Sequence, residues 1–124
     1  MSIPFGVHVP FIEHLGFTLE RFEGGESELR YSARPEHLNS FSVTHGGACM
    51  ALLDVAMAAA ARSVQPDMGV VTIEMKTSFM QPATGPLVAK GRACTHATGT
   101  FKYVKRLPVG ASAVHPLQPP LSTD

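Results

Sequence analysis

The fold is decided by the run NSFSVTHGG at residues 39–47, followed by ACMALLDVAMAAAARS at residues 48–63. Asp54 is the only charged residue between Gly46 and Ala61. A helix that is apolar on nearly every face is normally buried. Since Pro66 cannot continue a helix, we predict one long core helix over residues 46–63.

Two features of this helix indicate chemistry. A buried carboxylate is costly unless it is hydrogen-bonded, paired, protonated or used in a reaction, so Asp54 needs a partner or a role. The pair Gly46-Gly47 leaves bare backbone N–H groups at the positive end of the helix, where an oxyanion or another anion can bind. Together, these two features favour acyl-transfer chemistry.

Composition excludes several other classes. The 124 residues, enough for one domain, include ten basic and ten acidic residues, so the net charge favours neither nucleic acid nor an anionic membrane. Asp54 and Arg62 interrupt the longest apolar run before the ~20 residues of a membrane span. The two cysteines and six histidines show no metal-site spacing. We expect a cytoplasmic protein with no metal and no nucleic-acid or membrane partner.

The flanking sequence predicts a sheet around the helix. Residues 17–33 alternate as a hairpin about a Gly-Gly turn, and residues 69–80 alternate as a half-buried strand. Residues 87–92 and 96–105 predict two further strands. One apolar helix on an antiparallel sheet is an α+β architecture. Proline-rich residues 107–124 predict a disordered tail after a domain spanning residues 1–106.

At this point the chain resembles the hotdog-fold thioesterases, specifically the acyl-CoA thioesterases of the phenylacetic-acid-degradation (PaaI) type. The motifs that carry the resemblance are Pro10-Phe11 with Leu15-Gly16, Asn39 six positions before His45-Gly46-Gly47, Asp54 eight positions after Gly46, VTIEMK at 71–76, MQPA at 80–83 and ATGTF at 97–101. The resemblance implies a hotdog fold, in which an antiparallel sheet wraps around one long central helix.

The resemblance also implies roles for individual residues. In that family the glycine after the histidine offers its N–H to the thioester oxygen, which here is Gly46. The helix aspartate, here Asp54, is the general base or the nucleophile. Asn39 would orient the reacting water or carboxylate, Thr72 on the next strand would support it, and His45 would steady the loop and the substrate carbonyl.

Substrate contacts are expected at three further residues. Gly47 continues the glycine turn, while Lys102 and Lys105 would bind the phosphates of coenzyme A as point charges. A solvated strand end is the plainer interpretation of both lysines. No cofactor is expected, because coenzyme A enters as part of the substrate.

The spacing of Gly46 and Asp54 independently predicts a shared site. Eight residues of helix rise about 12 Å, whereas both groups must lie within about 3 Å of the reacting atoms. Two antiparallel copies of the helix would place Asp54 of one chain beside Gly46 of the other. We therefore expect a homodimer, paired further as a dimer of dimers, and an inactive monomer.

The chain departs from the family pattern after residue 87. Gly91 to His96 joins two strands almost directly, where the family has a further strand and its turn, roughly 20 residues. The sequence therefore predicts a hotdog fold lacking about one strand, and it leaves open whether this is a true deletion. The predicted catalytic residues lie before this junction.

Other interpretations remain open at this stage. Gly46-Gly47 could only allow a tight helix entry, Asp54 could be a solvent-facing or structural charge, and Asn39 could only cap a turn. The favoured function is hydrolysis of small to medium or aromatic acyl-CoA thioesters. The alternatives are a non-catalytic acyl-CoA binder and, less favoured, a hotdog hydratase or dehydratase, which would need a histidine beside Asp54.

Overall fold

The computed structural model describes residues 2–94 and the backbone of residues 100–104. Its elements are α1 (Pro10–Leu15), β1 (Thr18–Glu23), β2 (Glu26–Tyr31), a 3-10 turn (Pro35–His37), α2 (Gly46–Val64), β3 (Gly69–Glu74), β4 (Leu87–Arg92) and β5 (Thr100–Val104). The predicted tail over residues 107–124 lies outside the described residues.

The predicted N-terminal hairpin is confirmed. β1 and β2 pair antiparallel around Gly24 and Gly25, whose φ angles of 57° and 86° are readily available only to glycine. Leu19 and Leu29 lie opposite each other on the inner face and are almost completely buried. The alternation of apolar and polar residues thus places one face of the hairpin against the core.

The predicted core helix is confirmed as α2, which packs closely on the sheet. Its buried residues are spaced at helical intervals: Ala48, Leu52, Ala56, Ala59 and Ala60. We call the side that bears them the inner side of α2. Small residues allow the backbones to approach, because a Cβ at Gly91 of β4 would overlap the carbonyl group of Ala56. Ser27 also donates a hydrogen bond of 2.6 Å to that carbonyl oxygen.

The opposite side of α2 corrects the expectation of a helix buried on nearly every face. This outer side carries Gly46, Met50, Leu53 and Asp54. Met50 and Leu53 are each 36% exposed, and Asp54 is partly exposed. Among the described residues, the sheet covers the inner side of the helix and leaves the outer side partly exposed.

The strands form two separate sheets in the described part of the chain. One has the order β1-β2-β4, and the other pairs β3 with β5, all antiparallel. β4 and β5, which are consecutive along the chain among the described strands, do not pair with each other. This break is where the sequence predicted a missing strand, and the architecture is otherwise the α+β arrangement that the sequence predicted.

One strand is shorter than predicted. β3 ends at Glu74, and residues 75–80 continue without strand pairing among the described residues. Ile73 is 61% exposed, although the alternation placed it on the buried face. The alternating pattern extends beyond the last residue that finds a partner strand, and pattern alone does not show where pairing ends.

The length of α2 corrects a second expectation. Judged by length and composition alone, this helix is apolar enough to cross a membrane, despite Asp54 and Arg62. The core helix of a soluble protein meets the same criterion, and α2 packs on the sheet through its inner side.

Candidate functional site

The start of α2 lines a cavity of about 600 Å³, which we call the amide cavity. Its lining includes Asn39, Phe41, Gly46, Cys49, Phe79 and Met80. Phe41 and Met80 are more than four-fifths exposed. The backbone N–H of Gly46 is the first of the helix and donates to no acceptor among residues 2–94. A partial positive charge and an open amide therefore lie in a largely apolar setting.

His45 is the N-cap of α2. Its Nδ1 atom accepts a hydrogen bond of 2.8 Å from the N–H of Gly47. This bond engages the amide of Gly47, which the sequence assigned to substrate binding, and leaves the amide of Gly46 for a ligand. His45 therefore fixes the direction of the helix start through Nδ1, and its predicted contact with the substrate carbonyl stays a prediction.

Backbone hydrogen bonds hold this turn from two directions. The N–H of His45 donates to the carbonyl of His37 (2.9 Å), and the N–H of Thr44 donates to the carbonyl of Ala83 (3.0 Å). The 3-10 turn and the loop before β4 thus both anchor the segment that precedes Gly46. An amide held in this way does not need to reorganise when charge develops beside it.

Asn39 shapes the same loop. Its Oδ1 atom accepts hydrogen bonds from the N–H groups of Phe41 (2.8 Å) and Val43 (3.3 Å), which makes a turn within the loop. Its backbone N–H donates to the carbonyl of Val43 (2.8 Å). The side chain lines the amide cavity together with Gly46, so the structure combines the turn-capping interpretation with a place near the predicted site.

The structure brings Asp54 and Thr72 together. The Thr72 hydroxyl donates a hydrogen bond of 2.5 Å to Oδ1 of Asp54, linking the middle of α2 to β3. No other described residue donates to the carboxylate in a hydrogen bond. One carboxylate oxygen is therefore held in place, and the other is open to water or to substrate.

These two residues border a second cavity of about 700 Å³, which we call the carboxylate cavity. Apolar residues form most of its wall, among them Val55 and Ala58 of α2 and the segment of residues 5–9. No helix or strand was predicted for residues 5–9. Their alternation of Phe5, Val7 and Val9 was the signal that this segment has an apolar face.

Gly46 and Asp54 of one chain line different cavities. Both lie on the outer side of α2, eight residues apart, which is about 12 Å along the axis. The structure therefore agrees with the sequence argument that a single chain does not bring these two groups to one carbonyl carbon.

The predicted contacts of the two lysines with coenzyme A stay predictions. Lys102 lies in β5 opposite Val71, and its side chain is outside what the structure describes, as is the whole of Lys105. Within the described residues, no three histidine, cysteine, aspartate or glutamate side chains are grouped as metal ligands.

One polar contact beneath the site was missed from sequence. Tyr31 and His37 are buried, and the hydroxyl of Tyr31 lies 2.8 Å from Nδ1 of His37. The N–H of Arg34 donates to the same Nδ1 atom (3.2 Å), so this nitrogen is an acceptor and the tyrosine hydroxyl donates. Burial also raises the pKa of Tyr31, which keeps its proton in place.

A second nucleophile lines the amide cavity. Cys49 is one turn after Gly46, and burial raises the pKa of its thiol. A raised pKa disfavours the thiolate, the reactive form of cysteine. The carboxylate of Asp54 is therefore the better candidate for the reacting group.

The comparisons with known proteins begin with the family. Residues 1–114 match the model of a domain of unknown function, DUF4442. The chain belongs to this family. No curated protein matches it.

Several solved structures share the fold. Conserved protein PA5202 from Pseudomonas aeruginosa is 24% identical, with a TM-score of 0.69 over 81% of this chain and 85% of that one. The Escherichia coli PaaI protein from the phenylacetic acid degradation operon is 19% identical, with a TM-score of 0.66 over 79% and 74%. A thioesterase-family protein from Silicibacter pomeroyi is 25% identical, with a TM-score of 0.63 over 66% and 62%. These likenesses confirm the hotdog fold and the structural resemblance to PaaI.

Proposed function

We propose that this protein hydrolyses acyl-CoA thioesters with small to medium or aromatic acyl groups, releasing the free acid and coenzyme A. The observation that carries the proposal is the Asp54 carboxylate, held at one oxygen by Thr72 and open to an apolar cavity. Relatives of the same fold that are named as thioesterase or PaaI proteins support thioester hydrolysis as the general activity.

The reaction begins with attack on the thioester carbonyl carbon. In one route Asp54 takes a proton from water, and the hydroxyl oxygen bonds to that carbon. In the other, Asp54 itself attacks and forms a mixed anhydride, which water then opens. Both routes remain in the proposal, because a carboxylate with one open oxygen serves either.

In both routes negative charge develops on the thioester oxygen. The Gly46 N–H stabilises this charge, a contribution of about 3–4 kcal/mol for one donor in comparable sites. The tetrahedral intermediate then collapses: the C–S bond breaks, and the electron pair leaves on the sulfur of coenzyme A. Thiolate is a good leaving group, so a strong general acid is not required.

Two chains are needed to complete this site. A homodimer with antiparallel α2 helices would set Asp54 of one subunit beside Gly46 of the other, twice by symmetry. The exposed apolar residues Met50 and Leu53 on the outer side of α2 support an oligomer, because a second molecule would cover them. Pairing of dimers into tetramers is a further part of the proposal.

The decisive test is release of free thiol from a panel of acyl-CoAs. We expect turnover by the wild type and a loss of at least about 100-fold in kcat for Asp54→Asn, the lower size for a general base. Glu23→Gln neutralises an exposed carboxylate with the same change of atoms and should keep full activity.

The other possible outcomes of this assay distinguish the alternative functions. Full activity in Asp54→Ala would reject the mechanism. Coenzyme A esters that bind without turnover in the wild type would identify a binding protein, and hydration of an enoyl-CoA would identify a hydratase. A circular-dichroism spectrum of Asp54→Asn that matches the wild type shows that a lost activity is not a lost fold.

A further inference from the structure

Residues of α2 from Asp54 to Arg62 line the carboxylate cavity. Arg62 lies about two turns along the helix from Asp54, which contacts Thr72. Between Asp54 and Arg62 the helix contributes Val55 and Ala58 to the wall. The cavity volume of about 700 Å³ is within the range of small-molecule sites.

Arg62 lines this cavity, and its side chain is held in place by contacts with two other segments. Its Nη1 atom donates a hydrogen bond of 3.2 Å to the carbonyl of Phe5, which fixes the N-terminal segment over α2. Its guanidinium also lies 5.4 Å from the centre of the Phe22 ring, a cation–π distance. Two contacts with different parts of the chain therefore fix a side chain that lines the cavity.

We propose that the carboxylate cavity takes the acyl group and that Arg62 sets its maximum length. This proposal rests on the proposed thioester hydrolysis. The lining from Asp54 to Arg62 spans about 12 Å along the helix. Because C–C bonds of about 1.52 Å meeting near 111° advance roughly 1.25 Å each, an extended chain of about ten carbons fills that length.

The chemistry of the cavity lining fits this substrate class. An apolar wall favours an alkyl chain, because each methylene that enters the cavity leaves water. A longer chain would reach the guanidinium and would have to displace it from Phe5 and Phe22. The specific prediction is therefore a steep fall in kcat/KM between decanoyl and tetradecanoyl thioesters.

The test measures kcat/KM for hexanoyl-, octanoyl-, decanoyl-, dodecanoyl- and tetradecanoyl-CoA. Arg62→Ala opens the end of the cavity, so the ratio of tetradecanoyl to octanoyl activity should rise at least about tenfold. Ala58→Phe fills the middle and should move the optimum towards hexanoyl-CoA. Arg92→Ala, the matched change at an exposed strand position, should leave the profile unchanged.

A second variant distinguishes the effect of shortening the Arg62 side chain from the effect of losing its hydrogen bond to the N-terminal segment. Arg62→Gln has a shorter side chain but keeps a donor for the Phe5 carbonyl, so it should shift the profile in the same direction by less. Hydrolysis by the wild type with profiles unchanged in the Arg62 and Ala58 variants would overturn this inference alone. Absence of hydrolysis at every chain length would instead overturn the proposed function.

Discussion

The two sides of α2 differ in what they contact. The inner side packs so closely that Gly91 has no room for a Cβ beside Ala56. The outer side carries Gly46 and Asp54 among apolar residues that are partly exposed. Fold and candidate chemistry are thus separated around the circumference of one helix, and among the described residues the side that bears the candidate chemistry is the more exposed one.

After loss of the Asp54 carboxylate, removal of the Gly46 N–H is expected to lower kcat the most. Gly46→Pro deletes only that donor, because proline suits the first helical position and His45 already has the extended conformation that proline requires before it. We expect kcat to fall by about 10²–10³. Steady-state kinetics on the best acyl-CoA measures the change.

Gly46→Ala is the matched control for that variant. It keeps the N–H and places a Cβ 3.6 Å from the Phe79 ring, an ordinary contact. Activity near the wild-type value is expected. If Gly46→Ala and Gly46→Pro impair turnover equally, Gly46 is needed because a side chain does not fit at this position, and not because its N–H donates a hydrogen bond.

A smaller effect is expected at Thr72. Thr72→Val removes the hydroxyl that donates to Asp54, a hydrogen bond to a charged group worth about 1.5–3 kcal/mol. Since Asp54 itself remains, we expect roughly a tenfold loss in kcat, and Thr72→Ser should recover most of it. A Thr72→Val enzyme as fast as the wild type would show that this hydroxyl is a bystander.

A substitution that disturbs packing on the inner side of α2 should lower the free energy of unfolding and leave kcat unchanged. Gly91→Ala forces the strand and α2 apart, so the free energy of unfolding should fall by about 1–3 kcal/mol, as in other overpacked cores. Urea denaturation measures it, with Lys90→Ala, exposed on the same strand, as the control. The folded fraction of Gly91→Ala should keep wild-type kcat. A large loss of kcat in Gly91→Ala without loss of stability would contradict the separation of packing and candidate chemistry between the two sides of α2.

The sequence was most informative where side chains repeat or carry charge. The alternation in the hairpin and the apolar run of α2 predicted those elements because burial of apolar area dominates the choice of structure. Asp54 stood out because a charge in an apolar helix is unusual. The bond from Thr72 to Asp54 joins residues eighteen positions apart and agrees with the pairing that the resemblance implied.

Pattern was least informative where tertiary contacts decide. The N-terminal segment lines the carboxylate cavity because Arg62 binds the Phe5 carbonyl, a contact between residues 57 positions apart. The exposure of the outer side of α2 could not be predicted from the sequence either. An apolar helix has the same sequence pattern whether its own chain or another chain covers it. The buried pair of Tyr31 and His37 was missed because scattered histidines have no periodicity.

The central claim is most directly tested with two defective chains in one oligomer. Asp54→Asn and Gly46→Pro chains, co-expressed with different affinity tags and purified through both, would combine an intact Asp54 from one chain with an intact Gly46 from the other. We predict thiol release well above that of either variant alone. Activity of the mixed oligomer no greater than the average of its two parents would contradict a reaction centre shared between subunits.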